Sequence, residues 1–560
     1  MGAATDVRRA PAPGVRRGAA GGGELAGFWK LVRGAVRQNR VRLIIWVLAV
    51  PGVTVPAISS YSSIFETRAG AQARAAIMAT PTGSVFGGPG YGLDNYDIGA
   101  SVANELLLWL NLTVALAGIL LVIHMTRREE ETGRLELVGA AAVGRRAPLA
   151  AALAVTGAEV VLIGLAMGLG CMVYPELDKG DCLAFGLIIA VTGLAFSGVG
   201  ALAAQLASTA RAAGGLAAAV LGVAFLLRAV GDTAQVQGDS AWASWLSPLG
   251  WANQTRVFVD LRWWPVLLTL AFAAAFGLAA WLLAARRDEG SGLLATRPGP
   301  ARAPKGLLSP SGLVWRRTKN SLFGWGGGAL VMCLAMGPAI GSMGGYLENN
   351  PAMAQMLGVD PAAGLDAMVE GFSGVIVLYS AMLVGAYVIT QIGTLRADEF
   401  AGLTARCLAE PVARGRLLGA TEITVGVSAL LGMSVAGLGY FAVVATDSSV
   451  GPDVAPAIAG SVLRALPALI ATVALASFLT AGFPRLAALS WAPFAYAFIH
   501  MLVGNILGLP DWARFFSQFT AVPLAPNTDF EWAPAVGVLA VSALLFYAAH
   551  RRFATRDLLA

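Results

Sequence analysis

Apolar segments of about 20 residues recur along most of this 560-residue chain. An α-helix of that length crosses a hydrocarbon layer roughly 30 Å thick, and it satisfies its own backbone hydrogen bonds in lipid. The sequence therefore predicts an all-α polytopic membrane protein with twelve transmembrane helices. The predicted spans are residues 43–61, 102–124, 149–173, 183–207, 214–231, 264–285, 322–346, 372–394, 417–445, 457–482, 486–509 and 534–549.

The segment before the first span has two parts. Residues 1–24 are basic and rich in Gly and Ala, which predicts a disordered basic tail. In residues 25–42 apolar side chains recur at helical spacing on one face and basic side chains occupy the other. This pattern predicts an interfacial helix in the headgroup layer. The alternative is a basic flank of the first span with accidental periodicity.

Basic residues are distributed unevenly between the two sides of the predicted membrane. Most of the 39 Lys and Arg residues lie in alternate connecting segments, which places those segments and both termini in the cytoplasm. One of these segments, residues 286–320, is rich in Pro and Gly and is predicted to be a linker. It separates a first half, residues 25–285, from a second half, residues 321–560. The net charge of +6 reflects this distribution and does not indicate nucleic-acid binding.

A charged loop occurs once in each half, at residues 125–148 and 395–416. Only 13% of the chain is charged, so these dense clusters are conspicuous. An offset of about 268 positions matches Arg128 with Arg396, Glu130 with Asp398, Glu131 with Glu399 and Leu135 with Leu403. Elsewhere the repeat has an offset of 269, which matches Arg287 and Asp288 with Arg556 and Asp557. The repetition predicts two equivalent docking points for a soluble partner; a solvated charged loop is the alternative.

Two further segments, residues 232–262 and 510–533, are rich in Trp, Pro and Gly. They are too short and interrupted to span a bilayer, yet they are apolar enough to enter the outer leaflet. We therefore predict two re-entrant or interfacial hairpins, with Trp side chains at headgroup level.

A few polar residues within or beside the predicted spans are candidates for function. Glu105 and Glu159 are candidates for a translocation path, because a carboxylate in lipid usually faces a cavity or a partner. For Glu159, which lies near mid-membrane, a structural hydrogen bond between helices is the alternative. Cys171 and Cys182 flank a short outer loop, and they are candidates for a disulfide or for two buried small side chains.

Catalytic and cofactor motifs are missing from the sequence. No Gly-x-x-x-x-Gly-Lys-Ser/Thr motif occurs, so the chain is not expected to bind ATP through a P-loop. Three His and four Cys, all scattered, make a zinc site improbable. We therefore predict a protein that is not an enzyme and that holds no cofactor of its own.

The duplicated layout resembles the ABC-2 type exporter permeases, and among them the fused two-copy exporters of polyketide antibiotics, which include tetronasin-resistance-type proteins. The resemblance rests on the loop from Arg127 to Glu136, on residues 247–251 (Ser-Pro-Leu-Gly-Trp), and on residues 263–265 (Trp-Trp-Pro) leading to Arg286-Arg287-Asp288. It covers nearly the whole chain after residue 25. It implies two tandem six-helix, type V exporter-like halves in a bacterial plasma membrane.

The resemblance also implies a partner and a driving force. Each charged loop would carry a coupling helix that docks on one of two copies of a cytoplasmic ATP-binding subunit, where ATP and Mg would bind. An apolar knob with flanking charges suits such a dock. The candidate coupling residues are Arg128, Glu130, Glu131, Leu135, Val138, Arg396, Asp398, Glu399, Phe400 and Leu403. The second loop departs from the first, since Gly402-Leu403-Thr404 replaces Arg134-Leu135-Glu136.

These observations predict the permease subunit of an ATP-driven exporter for hydrophobic or amphipathic small molecules. The second hypothesis is an ion-coupled secondary transporter that uses Glu105 or Glu159 as a proton relay. A third, a membrane enzyme acting on lipid-linked substrates, would need a carboxylate or metal cluster that the sequence does not show.

Overall fold

The computed structural model describes most of the chain as helices joined by turns. The described residues are 23–65, 68–139, 141, 143–288, 290–294, 302–336, 365–446, 453–503, 510–525 and 529–558. They contain no β-strand. They divide into two compact units, Met1–Pro298 and Gly299–Ala560, and the division lies within the segment predicted as a linker. Of the predicted tail, residues 1–22 lie outside the described residues.

The first unit contains ten α-helices within its described residues, of which six are long, besides the 3-10 helices Leu93–Asn95 and Ser244–Leu246. The α-helices are α1 Phe28–Phe65, α2 Arg68–Met78, α3 Pro81–Phe86, α4 Ile98–Glu131, α5 Arg134–Gly139, α6 Ala147–Cys171, α7 Lys179–Leu206, α8 Ala210–Val236, α9 Pro248–Asn253 and α10 Trp264–Ala284. Helix α4 includes two π-helical turns, Val102–Leu106 and His124–Arg128. Such turns widen a helix locally and are frequent at functional sites.

Helix α1 joins two segments that were predicted separately, and the location of residues 25–42 in the headgroup layer stays a prediction. An interfacial helix at residues 25–42 was expected to precede a span starting at residue 43. The structure instead has one uninterrupted helix, Phe28–Phe65, which contains Pro51 and Pro56. No proline or glycine lies between residues 35 and 50, so nothing in the local sequence ends the helix at the expected boundary.

The second unit contains seven α-helices within its described residues, besides the 3-10 helices Lys305–Leu308, Pro484–Trp491 and Asp511–Phe516. The α-helices are α11 Pro310–Met336, α12 Leu365–Phe400, α13 Leu403–Leu408, α14 Arg414–Val444, α15 Val454–Gly482, α16 Ala492–Val503 and α17 Trp532–Thr555. Helix α15 is interrupted at Ala465 and ends in a π-helical turn, Phe478–Gly482.

Ten helices in the described part of the chain are long and apolar enough to cross a membrane. The prediction of an all-helical polytopic membrane protein is thereby confirmed, with ten candidate spans among the described residues. Two predicted spans, 322–346 and 486–509, run into residues 337–346 and 504–509, which lie outside the described residues. The number twelve therefore stays a prediction.

Helix α7 lies at the centre of the first unit, where it packs against α4, α6, α8 and α10. Small residues permit this crowding. A Cβ atom added to Gly164 on α6 would overlap the carbonyl oxygen of Gly186 on α7, and one added to Gly186 would overlap the carbonyl oxygen of Gly164. Close approach of two backbones through small residues is a common way for helices to associate in membranes.

Replacing Gly164 with leucine is therefore expected to destabilise the first unit by about 1–3 kcal/mol or more, because the side chain has to push α6 away from α7. The measurement is the melting temperature of the detergent-solubilised chain, followed by fluorescence-detected size exclusion. Gly214→Leu on α8 is the matched control, since a Cβ there meets nothing within 4 Å. Equal melting temperatures for the two variants would contradict the proposed contact.

Candidate functional site

The loop of the first unit is anchored by a buried arginine. Arg127, in the last π-helical turn of α4, is only 1% exposed. Its guanidinium donates to the carbonyl oxygens of Ala204, at 3.2 Å, and of Ala207, both at the carboxyl end of α7. A cation at this end of a helix satisfies terminal carbonyls and complements the helix dipole. The end of α4 is thereby attached to the end of α7.

Glu130 connects the same loop to the segment that follows α10. Its Oε2 accepts from Arg127 at 2.8 Å and from Arg287 at 3.0 Å, and its Oε1 accepts from the backbone N–H of Gly290 at 2.8 Å. We call Arg127, Glu130 and Arg287 the first loop cluster. One buried carboxylate thus holds two guanidinium groups, and the ends of α4, α7 and α10 are joined by charge-assisted hydrogen bonds.

The neighbouring carboxylates contact other parts of the first unit. Glu131 is exposed, and its Oε1 accepts at 2.8 Å from the backbone N–H of Ala210, the first residue of α8. Glu129 accepts from Arg134 at 3.3 Å, within the loop itself. Arg128, which was expected to contribute to docking, has an exposed side chain.

The second unit repeats the arrangement with different chemistry. Glu399 is buried, and its Oε1 accepts from Arg556 at 2.5 Å. Arg556 also donates to the carbonyl oxygen of Ala481 at the end of α15. We call Glu399 and Arg556 the second loop cluster. Like Arg127 in the first unit, Arg556 contacts both a helix-end carbonyl and the loop carboxylate.

Asp398 and Arg396 lie on the other faces of α12. Asp398 forms a two-pronged ion pair with Arg317 on α11, in which one of the two hydrogen bonds measures 2.5 Å. Hydrogen bonding to this carboxylate raises the pKa of the Arg317 guanidinium. Arg396 is half-buried and lies over the ring of Phe400 at 5.5 Å.

The structure changes the register in which the two loops correspond. The pairs Glu130–Arg287 and Glu399–Arg556 each span 157 positions in the chain. The hydrogen bonds from Arg145 to the carbonyl of Arg287 and from Arg414 to the carbonyl of Arg556 each span 142. Glu130 therefore corresponds to Glu399, one residue away from the predicted match with Asp398.

Two glycines support the corrected register. Gly133 and Gly402 precede α5 and α13, and their φ angles are +72° and +69°. Both adopt the left-handed conformation, which glycine enters at little cost. Each loop thus turns sharply at an equivalent residue before its short helix begins.

The apolar side chains of α5 face differently from the prediction. Leu135 and Val138 are half-buried and line a cavity of about 220 Å³ against α1, so they do not protrude. The exposed apolar residue of α5 is Leu137, which is 78% exposed. In the second unit Phe400 and Leu403 are both exposed. Each loop helix therefore presents an apolar side chain to its surroundings.

Glu105 does not have the free carboxylate that a translocation path or proton relay would use. It lies in the first π-helical turn of α4, where both oxygens accept from Arg74, at 2.9 and 2.5 Å. The hydroxyls of Tyr61 and Tyr96 donate to it as well, at 3.1 and 3.2 Å. Burial, and next the Glu105 charge, raise the pKa of the Tyr96 hydroxyl, so it remains a donor. These contacts indicate a structural role.

Glu159 contrasts with Glu105. It lies on α6, its side chain is 2% exposed, and neither oxygen accepts a hydrogen bond from any residue that the structure describes. The predicted alternative, a hydrogen bond between helices, is therefore not seen within the described residues. A buried carboxylate without a hydrogen-bond partner is costly, so Glu159 remains the stronger of the two translocation-path candidates.

Cys171 and Cys182 do not form the disulfide that was one of the two predicted possibilities. Both are free thiols, fully buried at the adjoining ends of α6 and α7. They pack in an apolar cluster as two small side chains. No group of three metal-binding side chains occurs among the described residues.

At the other end of the first unit, the predicted hairpin 232–262 is attached to α8 by a buried ion pair. Arg228 and Asp232 are fully buried and lie 3.4 Å apart. Ser244 and Asn253, from the hairpin, donate to the two oxygens of Asp232 at 2.6 and 3.4 Å. The hairpin contains the short helix α9, whose residues are all buried. Asp232 is not among the predicted site residues, although an acidic residue four positions after Arg228 was a usable signal.

The corresponding region of the second unit has an ion pair near its surface. Arg514 and Glu531, at the two ends of the predicted hairpin 510–533, form two hydrogen bonds of 2.8 and 2.5 Å. These bonds lower the pKa of Glu531. Residues 526–528 of this hairpin lie outside the described residues.

Comparison with known proteins gives two matches. The profile of the family described as "Multidrug efflux system permease Rv1217c, C-terminal domain" matches residues 33–283 and 307–553. The chain is also similar to the multidrug efflux system permease protein Rv1217c of Mycobacterium tuberculosis. The two sequences are 34% identical over 561 residues, which covers 99% of each chain.

Proposed function

Because this chain belongs to the family of the multidrug efflux system permease Rv1217c, we propose that it is the transmembrane permease subunit of an ATP-driven ABC exporter. It would move hydrophobic or amphipathic, drug-like molecules out of a bacterial cell. Two copies of a cytoplasmic ATP-binding subunit would bind ATP and Mg, and both termini and both loops would face the cytoplasm. We assign its fold to the ABC-2 type, with two tandem six-helix halves.

The observation that carries this proposal is the pair of loop clusters. In the first unit, Glu130 and Arg127 attach an exposed loop to the ends of α4, α7 and α10. In the second unit, Glu399 and Arg556 attach its counterpart to the ends of α12, α15 and α17. A displacement of either loop would be transmitted to three long helices at once. This is the arrangement that a partner subunit needs in order to move membrane helices.

The exposure of apolar side chains indicates which part of each loop would contact the ATP-binding subunit. Leu137 on α5 and Phe400 at the end of α12 are exposed apolar side chains beside charged residues. Buried apolar anchors within a polar rim supply much of the binding energy in protein interfaces. The carboxylates Glu130 and Glu399 are engaged within the chain, so we assign them to the internal transmission of movement and not to direct contact.

The test is purification of the tagged full-length chain from its own membranes in mild detergent, with the bound proteins identified and counted. We expect a P-loop protein at two copies per chain. The double variant Leu137→Asp, Phe400→Asp is expected to lose at least nine-tenths of that partner. Leu308→Asp is the matched control, because Leu308 is an exposed apolar residue outside both loops.

Two outcomes would overturn the proposal. One is a chain that purifies alone and transports in liposomes without ATP. The other is transport that stops with an uncoupler while ATP is maintained, which would indicate ion coupling. The Arg74 and tyrosine contacts of Glu105 leave Glu159 as the carboxylate that such a mechanism would use.

A further inference from the structure

A cavity beneath the first loop is lined by apolar side chains together with basic and polar ones. It lies between α1, the end of α4, α5 and the start of α6, and its volume is about 220 Å³. Leu135 and Val138 of α5 form part of its apolar wall. Lys30, Gln38 and Arg134 provide polar groups. Sites for drug-sized molecules typically measure about 300–1,000 Å³, so this cavity suits a smaller group.

The charges around the cavity favour an anion. Glu129 also lines it, but this carboxylate already accepts from Arg134. Lys30 is exposed, and its ammonium group has no partner among the residues that the structure describes. The cavity lining therefore carries a surplus of positive charge beside its apolar side chains.

One face of α1 continues from the cavity as an apolar stripe. Lys30, Gly34 and Gln38 line the cavity at intervals of four residues. At helical spacing the same face continues through Val41, Ile45 and Leu48, which are 64, 57 and 66% exposed. A pocket that contains basic and polar groups is thus followed by an exposed apolar stripe along a helix that is long and apolar enough to span a membrane.

We propose that this cavity binds the headgroup of an anionic glycerophospholipid, whose acyl chains lie along the stripe Val41, Ile45 and Leu48. The phosphate would accept from Lys30 and Gln38, and the glycerol region would contact Leu135 and Val138. Because these two residues belong to α5, an occupied site would restrain the loop helix next to the first loop cluster. The inference concerns a lipid site and does not depend on the proposed ATP-driven mechanism.

The test is native mass spectrometry of the full-length chain in detergent, titrated with phosphatidylglycerol or with phosphatidylcholine of the same acyl chains. We expect phosphatidylglycerol to bind at least tenfold more tightly. Gly34→Leu is expected to reduce this binding at least tenfold, because a Cβ at Gly34 meets nothing within 4 Å and the side chain can fill the cavity. Gly52→Leu, which also meets nothing within 4 Å on the same helix, is expected to bind like the original chain.

A charge variant and a competitor complete the experiment. Lys30→Gln removes one cation near the headgroup and is expected to weaken phosphatidylglycerol binding about fivefold. This variant retains the cavity, so it serves as the test if Gly34→Leu does not fold. Equal binding of the two lipids, or equal binding by the Gly34 and Gly52 variants, would overturn the proposal. Full displacement of the lipid by inorganic phosphate would overturn it too, because it would indicate a site for a free anion.

Discussion

Replacing Glu130 with alanine is expected to destabilise the first unit by about 3–5 kcal/mol, because two arginines lose their shared carboxylate. Arg127 is 1% exposed and would keep only carbonyl partners, while Arg287 would face it without a counter-charge. The measurement is the thermal unfolding of the solubilised chain, together with the rate at which a protease cuts the loop. We expect a lower melting temperature and faster cleavage.

The control for this prediction is Glu136→Ala, a carboxylate on the exposed face of α5. Exposed substitutions away from such networks usually change stability by less than about 0.5 kcal/mol. A double-mutant cycle with Arg287→Ala separates the pair from its surroundings, and we expect a coupling energy of about 1–3 kcal/mol. A coupling energy of zero, or equal effects of the Glu130 and Glu136 variants on stability, would contradict the role of the first loop cluster in transmitting movement.

The long helices were predictable because their signal is strong and local. Runs such as 102–124 and 183–207 are apolar over the length that a bilayer requires, and both appear as candidate spans in the structure. The boundary between an interfacial helix and the first span was not predictable in this way. Amphipathic and uniformly apolar segments both favour helix, so α1 continues from Phe28 to Phe65 without a break.

The register in which the two loops correspond was harder to predict, because each loop carries two adjacent acidic residues. Glu130 and Glu131 in one and Asp398 and Glu399 in the other allow two alignments that differ by one position. In the structure the arginines that follow α10 and α17 distinguish them, and these lie far away in the chain. The glycines at 133 and 402 were the local signal that could have settled the register.

The direction in which a side chain faces could also not be predicted from the sequence. Helical spacing correctly places Leu135 and Val138 on one face of α5, but it does not say whether that face meets a partner or the chain itself. The structure turns this face toward α1 and leaves Leu137 exposed. For the same reason, the sequence could not show that Arg74 and two tyrosines from distant segments would surround Glu105.

The two ends of the first unit are held by the same kind of contact. At the loop end, Glu130 joins two arginines; at the hairpin end, Asp232 joins Arg228 to two side chains of the hairpin. Buried charge pairs of this kind contribute little net stability but are costly to break singly. They therefore specify which segments lie together, and both ends of the unit depend on one carboxylate each.

Replacing Asp232 with alanine is accordingly expected to cost about 3–5 kcal/mol, since Arg228 would remain fully buried without a counter-charge. Asn253 would also lose its acceptor, and Ser244 would keep only the carbonyl oxygen of Arg228, so the attachment of the hairpin to α8 should loosen. We expect a lower melting temperature, and faster hydrogen exchange in residues 244–253 than elsewhere in the unit.

Asp260→Ala is the matched control, because Asp260 pairs with Arg262 but is 62% exposed, and exposed pairs contribute about 1 kcal/mol or less. The double variant Arg228→Met, Asp232→Asn removes both charges while keeping the acceptor for Ser244. It should recover most of the lost stability, as replacement of a buried ion pair by neutral groups often does. Two results together would show that the ion pair does not hold the hairpin. The double variant would fail to recover stability, and Asp232→Ala would leave hydrogen exchange in residues 244–253 unchanged.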